Sequence, residues 1–218
     1  MFDIFIKNAT ILDGTGKERY ISNLGIKSNK IRYIGKEIKN SHKTINADGL
    51  ILTPGFIDGH SHDDIWYFKD PNNTNKLSMG VTTTISGNCG ESSFPVTGKY
   101  KQDIIDYFSL FKSQKIIENF ESTNKYINLL EKQPLGINAG IFIGHGTVRI
   151  AVMGYSTQKP NEKQMEQMKS YIEDAMKSGA YGLSSGLLYP PGSFSDTKEL
   201  IELCKVVARY GGIYVSHI

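Results

Sequence analysis

The stretch ILTPGFIDGHSH, residues 51–62, marks the point where the chain changes rhythm. Its apolar run, broken by Pro54-Gly55, reads as a buried strand that ends on two histidines one residue apart. Side chains two apart in an extended segment share a face, so His60 and His62 would present their imidazoles toward one point. Convergent neutral imidazoles are what a zinc site requires. The competing reading is a solvated polar turn continued by Asp63 and Asp64. It weakens because other metal-ligating residue types gather at equivalent places further along.

Upstream, FDIFIKNATIL, NLGIKSNKIRYIG and KTINADGLIL alternate or run apolar between glycine and asparagine, which predicts a strand region over residues 1–50. Downstream, strands and helices take turns. A short helical piece is expected around Asn73–Met79, followed by the strand VTTTIS. Residues 101–112 place Ile104, Ile105, Phe108 and Phe111 on one helical face, and residues 123–132 do the same with Tyr126, Ile127, Leu129 and Leu130. GINAGIFIGHG reads as the third strand. A helix spans 161–178, with Gly179 as its C-cap. AYGLSSG is the fourth strand. Asp196 and Glu199 cap a helix that Gly211-Gly212 stops, and IYVSHI is the fifth strand. Five strands alternating with helices predict an α/β class, either a parallel sheet or a (β/α) barrel, over residues 51–218. A complete barrel takes eight such units and about 250 residues. The expectation is therefore a partial barrel of about five units beside a small N-terminal β region.

Bulk composition narrows the function classes. The 25 basic and 22 acidic residues among 218 are well mixed, so the formal net charge of +3 gives no argument for nucleic acid or membrane. Two cysteines, Cys89 and Cys204, are too few for a disulfide framework. The opening MFDIFIKNATILDG lacks the basic-then-apolar pattern of a secretory signal. A soluble cytoplasmic protein is expected.

Chemistry-bearing residues gather at the C-terminal ends of the expected strands. His60 and His62 follow the first, Cys89 the second and His145 the third; Ser184 and Ser185 close the fourth and His217 the fifth. Of the five histidines only His42 lies elsewhere. In a barrel those ends face one mouth, where active sites of this fold sit. Gly87 and Gly90 let the backbone turn tightly about Cys89. Its thiol could be a buried packing group, a nucleophile, a redox partner or a ligand. The neighbouring histidines favour a zinc-bound thiolate. Cys204 belongs to the apolar stripe of its helix. His217 shares a strand face with Ile213 and Val215 and would point toward the HxH pair. His145, between glycines, suits either a structural role or a backbone approach to a ligand.

The segments LTPGFIDGHSHDD, GVTTTISGNCG, IGHGTVR and GLSSGLLYPPGSFSDTKELIELCKVVARYGGIYVSHI resemble the N-acyl-D-amino-acid deacylases (D-aminoacylases) of the amidohydrolase superfamily. The resemblance runs in order from residue 1 to 218, and its opening resembles that superfamily's small N-terminal β-sandwich. It implies a zinc hydrolase, with one or two ions, that cleaves an N-acyl-D-amino acid to a carboxylate and a D-amino acid. His60 and His62 would bind one metal position, Cys89 would bridge, and His217 would bind the second. Tyr189 and His145 would lie near substrate. The family's general-base aspartate and a further histidine ligand come from strands eight and six, beyond residue 218. Neither Asp63 nor Asp64 corresponds to that base. A poorly active, truncated form is therefore expected, with no catalytic base in these residues. Glu91 stands where a hydrophobic or aromatic residue is expected. Two other readings compete. A dihydropyrimidinase or dihydroorotase type would show a lysine closing strand four, and a non-catalytic remnant would bind metal or a partner. An open barrel edge would also expose strand five to self-association.

Overall fold

The computed structural model describes residues 1–109 and 114–217. The chain divides into two compact units, Met1–Gly55 and Phe56–Ile218.

The first unit is a single mixed sheet of β1 (Phe2–Ile11), β2 (Tyr20–Lys27), β3 (Lys30–Gly35), β4 (Ser41–Asn46) and β5 (Ile51–Leu52). Its order is β3-β2-β1-β4, with β5 also on β1. Ser28 and Asn29 both take positive φ, 52° and 59°, the two-residue turn that matches the twist of a β2–β3 hairpin. Ala9, Ile11 and Ala47 form a small cluster with Ile6 and Leu52 packed against it.

The second unit alternates strand and helix. β6 (Phe56–Asp58) is followed by α1 (Trp66–Lys69), α2 (Thr74–Leu77) and β7 (Val81–Ser86). Then come α3 (Lys101–Tyr107), α4 (Gln114–Ile117), α5 (Thr123–Leu130), β8 (Asn138–Ile141) and β9 (Ile143–Gly144). α6 (His145–Met153), α7 (Glu162–Lys177), β10 (Gly182–Gly186), α8 (Thr197–Arg209) and β11 (Ile213–His217) complete it. All pairings in this unit are parallel, in two three-stranded sheets, β6-β7-β8 and β9-β10-β11. Only Phe142 separates β8 from β9, so one extended run passes from the first sheet to the second and the strands follow one another in chain order. Parallel pairing sends every strand's C-terminal end the same way, and helical crossovers return the chain. The helices bury one face each: Met168 and Ile172 of α7 and Leu203 and Val206 of α8 lie in one core with Ile143 and Leu183. Asn161 and Gln164 cap α7 reciprocally, and the Asp196 side chain accepts from the Glu199 N–H to start α8.

The α/β class and the order of elements agree with the sequence reading, and two details differ. ILTPGFIDGH does not form one buried strand: β5 joins the N-terminal sheet, while Phe56 and Ile57 of β6 are 55% and 69% exposed. Among the described residues β6 and β11 each have a strand neighbour on one side only, and Ile213 is half exposed. The end of GINAGIFIGHG is helical, since α6 begins at His145. Phe111, expected on the face of the 101–112 helix, and Ile218, expected to end strand five, lie outside the described residues. Among the described residues no helix is long and apolar enough to cross a membrane.

Candidate metal centre

The loop after β6 carries the HxH pair and is held at both ends. The Ser61 N–H donates to the Ile85 carbonyl at 3.0 Å, tying the loop to the neighbouring strand β7. Lys76 of α2 places its Nζ 2.8 Å from Asp58 Oδ2, 2.6 Å from Asp63 Oδ2 and 2.7 Å from Ser61 Oγ. It thereby joins residues on both sides of His60 and His62. Burial opposes charge on Asp58, yet Lys76 and the His60 N–H outweigh it and hold the carboxyl below its usual value. Burial likewise works against the Lys76 ammonium, and the two carboxylates more than restore it. Beneath the loop, Tyr67 of α1 is fully buried with its hydroxyl 2.9 Å from Ser86 Oγ, and burial pushes that phenol up to about 12.

The Cys89 loop after β7 is built from left-handed backbone. Gly87, Cys89 and Gly90 have φ of 75°, 58° and 76°. A Cβ on Gly87 would stand 2.1 Å from the Phe142 carbonyl oxygen, so only glycine lets the loop press on the next strand. From β10, the Ser184 hydroxyl accepts from the Gly90 N–H at 3.0 Å and donates to the Gly87 carbonyl. The turn thrusts the thiol among the histidines. Cys89 Sγ lies 3.1 Å from His60 Nε2 and 3.3 Å from His217 Nδ1. Donor atoms of His60, His62 and Cys89 all fall within 4.8 Å of one another, with both imidazoles exposed and the cysteine buried. His217 meets the group through the sulfur, and the Tyr189 ring stands edge-on to His217 at 5.3 Å. Burial, then the charge of Glu91, pushes the thiol above its usual range. Two imidazoles and a thiol at such spacing are a donor set that suits zinc. Among the described residues no carboxylate belongs to that group.

A model of the amidohydrolase family matches residues 43–204, most of the chain. The chain belongs to the amidohydrolase family. This amidohydrolase is 34% identical over 218 residues to a D-aminoacylase of Alcaligenes xylosoxydans xylosoxydans, covering 100% of this chain and 44% of the relative. It is 32% identical to the N-acyl-D-glutamate deacylase of the same organism, covering 99% of this chain and 43% of the relative. The crystal structure of N-acyl-D-glutamate deacylase from Bordetella bronchiseptica, complexed with zinc and a phosphonate mimic of the tetrahedral intermediate, superposes with a TM-score of 0.86. It is 30% identical, and the match covers 100% of this chain and 45% of that one. The chain thus spans less than half the length of the relatives it matches.

His145 stands apart from the donor cluster of the amidohydrolase. It is wholly buried in the first turn of α6, with Nε2 2.8 Å from Glu199 Oε1. Glu199 also accepts from Arg149 Nη1 at 2.9 Å, and Arg149 Nη2 donates to the carbonyls of Ser156 and Gln158 at 3.1 and 2.8 Å. This trio ties α6 to α8, while His145 Nδ1, also buried, has no hydrogen-bond partner among the described residues. Sequence reasoning missed Lys76, Arg149 and Glu199 as members of these networks. The run HGTVRIAVM, of helical length and followed by glycine, carried the one available signal: it sets His145 and Arg149 four apart on one helical face.

Proposed function

We propose that this amidohydrolase is a zinc-dependent deacylase acting on the amide of N-acyl-D-amino acids, the class named by the relatives it matches. The observation that carries the reading is the Cys89 sulfur set between His60 Nε2 and His217 Nδ1 at 3.1 and 3.3 Å. In this reading His60, His62, Cys89 and His217 would hold the zinc. Zinc, when bound, supplies Lewis acidity toward the amide carbonyl and makes water a better nucleophile near neutral pH. The second unit is taken as five strands of a (β/α)8 barrel with the donors at its mouth, and Tyr189 as a wall of the substrate site beside His217. β10, GLSSG, ends without a lysine, which favours the deacylases over the cyclic-amide branch of the superfamily.

Asp63 and Asp64 are already engaged. Asp63 pairs with Lys76, and Asp64 accepts from the Ser93 N–H at 2.6 Å in a fully buried setting that pushes its carboxyl upward. Neither is therefore assigned the role of base. Its free thiols, Cys89 and Cys204, suit a reducing compartment such as the cytoplasm. The exposed apolar flanks of β6 and β11 make self-association the companion expectation, read by sedimentation. The test of function is calorimetric titration of the zinc-loaded chain with N-acetyl-D-methionine and its L enantiomer, with amino-acid release measured alongside. Zinc-dependent binding of the D form is expected. Equal binding of the two enantiomers, or no zinc uptake, would overturn the reading.

A further inference from the structure

The turn that carries Cys89 holds a conformation its own residues do not favour. Cys89 takes a φ of 58°, and a residue with a Cβ stays in that left-handed region only where its surroundings over-determine it. On one side the buried Asn88 amide donates to the Ile85 carbonyl at 2.8 Å and to the Ser61 carbonyl at 3.3 Å. That ties the turn to the residue between His60 and His62. On the other side stands a single hydroxyl. Ser184 of β10, fully buried, accepts from the Gly90 N–H at 3.0 Å and donates to the Gly87 carbonyl, so one oxygen joins both ends of the turn Gly87–Gly90.

Sheet register gives that hydroxyl its direction. In the parallel pairing of β10 with β11, Ser184 lies beside Val215 and Gly186 beside His217, so Ser184 and His217 share one face of the sheet. Ser185 turns to the opposite face, where its hydroxyl meets those of Tyr214 and Ser216 at 2.6 and 3.3 Å. Gly186 permits the close approach: a Cβ there would stand 2.2 Å from the Cys89 carbonyl oxygen. A buried serine that satisfies two backbone groups ordinarily serves stability alone. Ser184 differs because both groups flank a left-handed residue whose sulfur stands 3.1 Å from His60 Nε2 and 3.3 Å from His217 Nδ1.

We infer that Ser184 is a positioning residue for the metal centre: its hydroxyl pins the strained turn and so sets the Cys89 sulfur between His60 and His217. The inference rests on the zinc reading of the site. The test is zinc affinity, measured by competition with a chromophoric chelator, on wild type, Ser184→Ala, Cys89→Ala and the double variant. Loss of the hydroxyl is expected to weaken zinc about tenfold where Cys89 is present and less than about twofold where it is already gone. A serine that served only the stability of β10 would change both backgrounds alike. Alkylation of the metal-free chain gives a second readout. Ser184→Ala should speed labelling of Cys89 several-fold and leave Cys204 unchanged, because the loosening is confined to the turn. Affinity within about twofold of wild type in Ser184→Ala, an equal loss in both backgrounds, or faster labelling of both cysteines would overturn the role of Ser184 and leave the zinc reading standing. A wild-type chain that takes up no zinc would overturn both.

Discussion

Two histidine clusters sit at strand ends of the same unit, and their partners give them opposite characters. His145 is sealed inside, with its Nε2 on a carboxylate that a guanidinium also meets. His60 and His62 are exposed and converge with His217 on a thiol, and among the described residues no carboxylate joins the three-residue donor group. The first cluster holds α6 against α8. The second, in the proposed reading, would offer its lone pairs to a metal. A histidine at a strand end is thus assigned by what faces its ring nitrogens, and the two clusters are expected to fail in different ways.

The largest expected effect belongs to the closed cluster. Glu199→Ala leaves Arg149 charged and buried without its partner, which costs about 3–5 kcal/mol of stability in denaturant unfolding. If that substitution left stability within about 1 kcal/mol of wild type, the trio would not be the structural lock described. Next comes the open cluster. Cys89→Ser is expected to lower zinc affinity about 100-fold or more while metal-free stability changes little. Loss of folding with affinity retained would reverse the comparison.

Smaller effects sharpen it. Lys76→Met releases the loop that carries both exposed histidines and should weaken zinc binding about 30-fold; Lys76→Arg, which can still meet both carboxylates, should recover most of it. Failure of the arginine to recover any affinity would argue against the clamp. Acidification gives a further handle. Burial holds the Cys89 thiol above its usual range, so the metal-free chain keeps that proton at neutral pH and zinc must displace it. Zinc affinity should therefore rise with pH, by about tenfold per unit, until the raised thiol titrates. In the metal-free chain the sign is opposite: the neutral thiol favours the fold below its ordinary range, and that contribution fades as pH climbs through the raised value. Calorimetry in buffers of different ionisation enthalpy counts the proton released. The mildest change, Tyr189→Phe, keeps the ring against His217 and should move zinc affinity less than about threefold.

The open cluster was legible in the sequence because local rules govern its parts. The two-residue period of extended chain pairs His60 with His62, and glycines on both sides of Cys89 signal a turn that exposes a thiol. The parity of Ile213, Val215 and His217 gives the last ring its side of the strand. The closed cluster was not legible. Glu199 reads as half of a helix cap, and nothing in the surrounding residues announces that its carboxylate turns inward to meet α6. Lys76 is hidden in the same way, because its partners Asp58 and Asp63 come to it through the fold of a loop. The exposure of Phe56 and Ile57 also escaped, since hydropathy does not say which strand lies at an edge.

The central claim is that the Cys89 sulfur, together with the histidines around it, binds a divalent metal. Cobalt(II) tests it directly, because a thiolate ligand adds a near-ultraviolet charge-transfer band that imidazoles alone do not. Titration of the chain should raise that band, Cys89→Ser should abolish it, and Cys204→Ser should leave it intact. A band that never forms, or one that disappears with Cys204 and survives the loss of Cys89, would contradict the account.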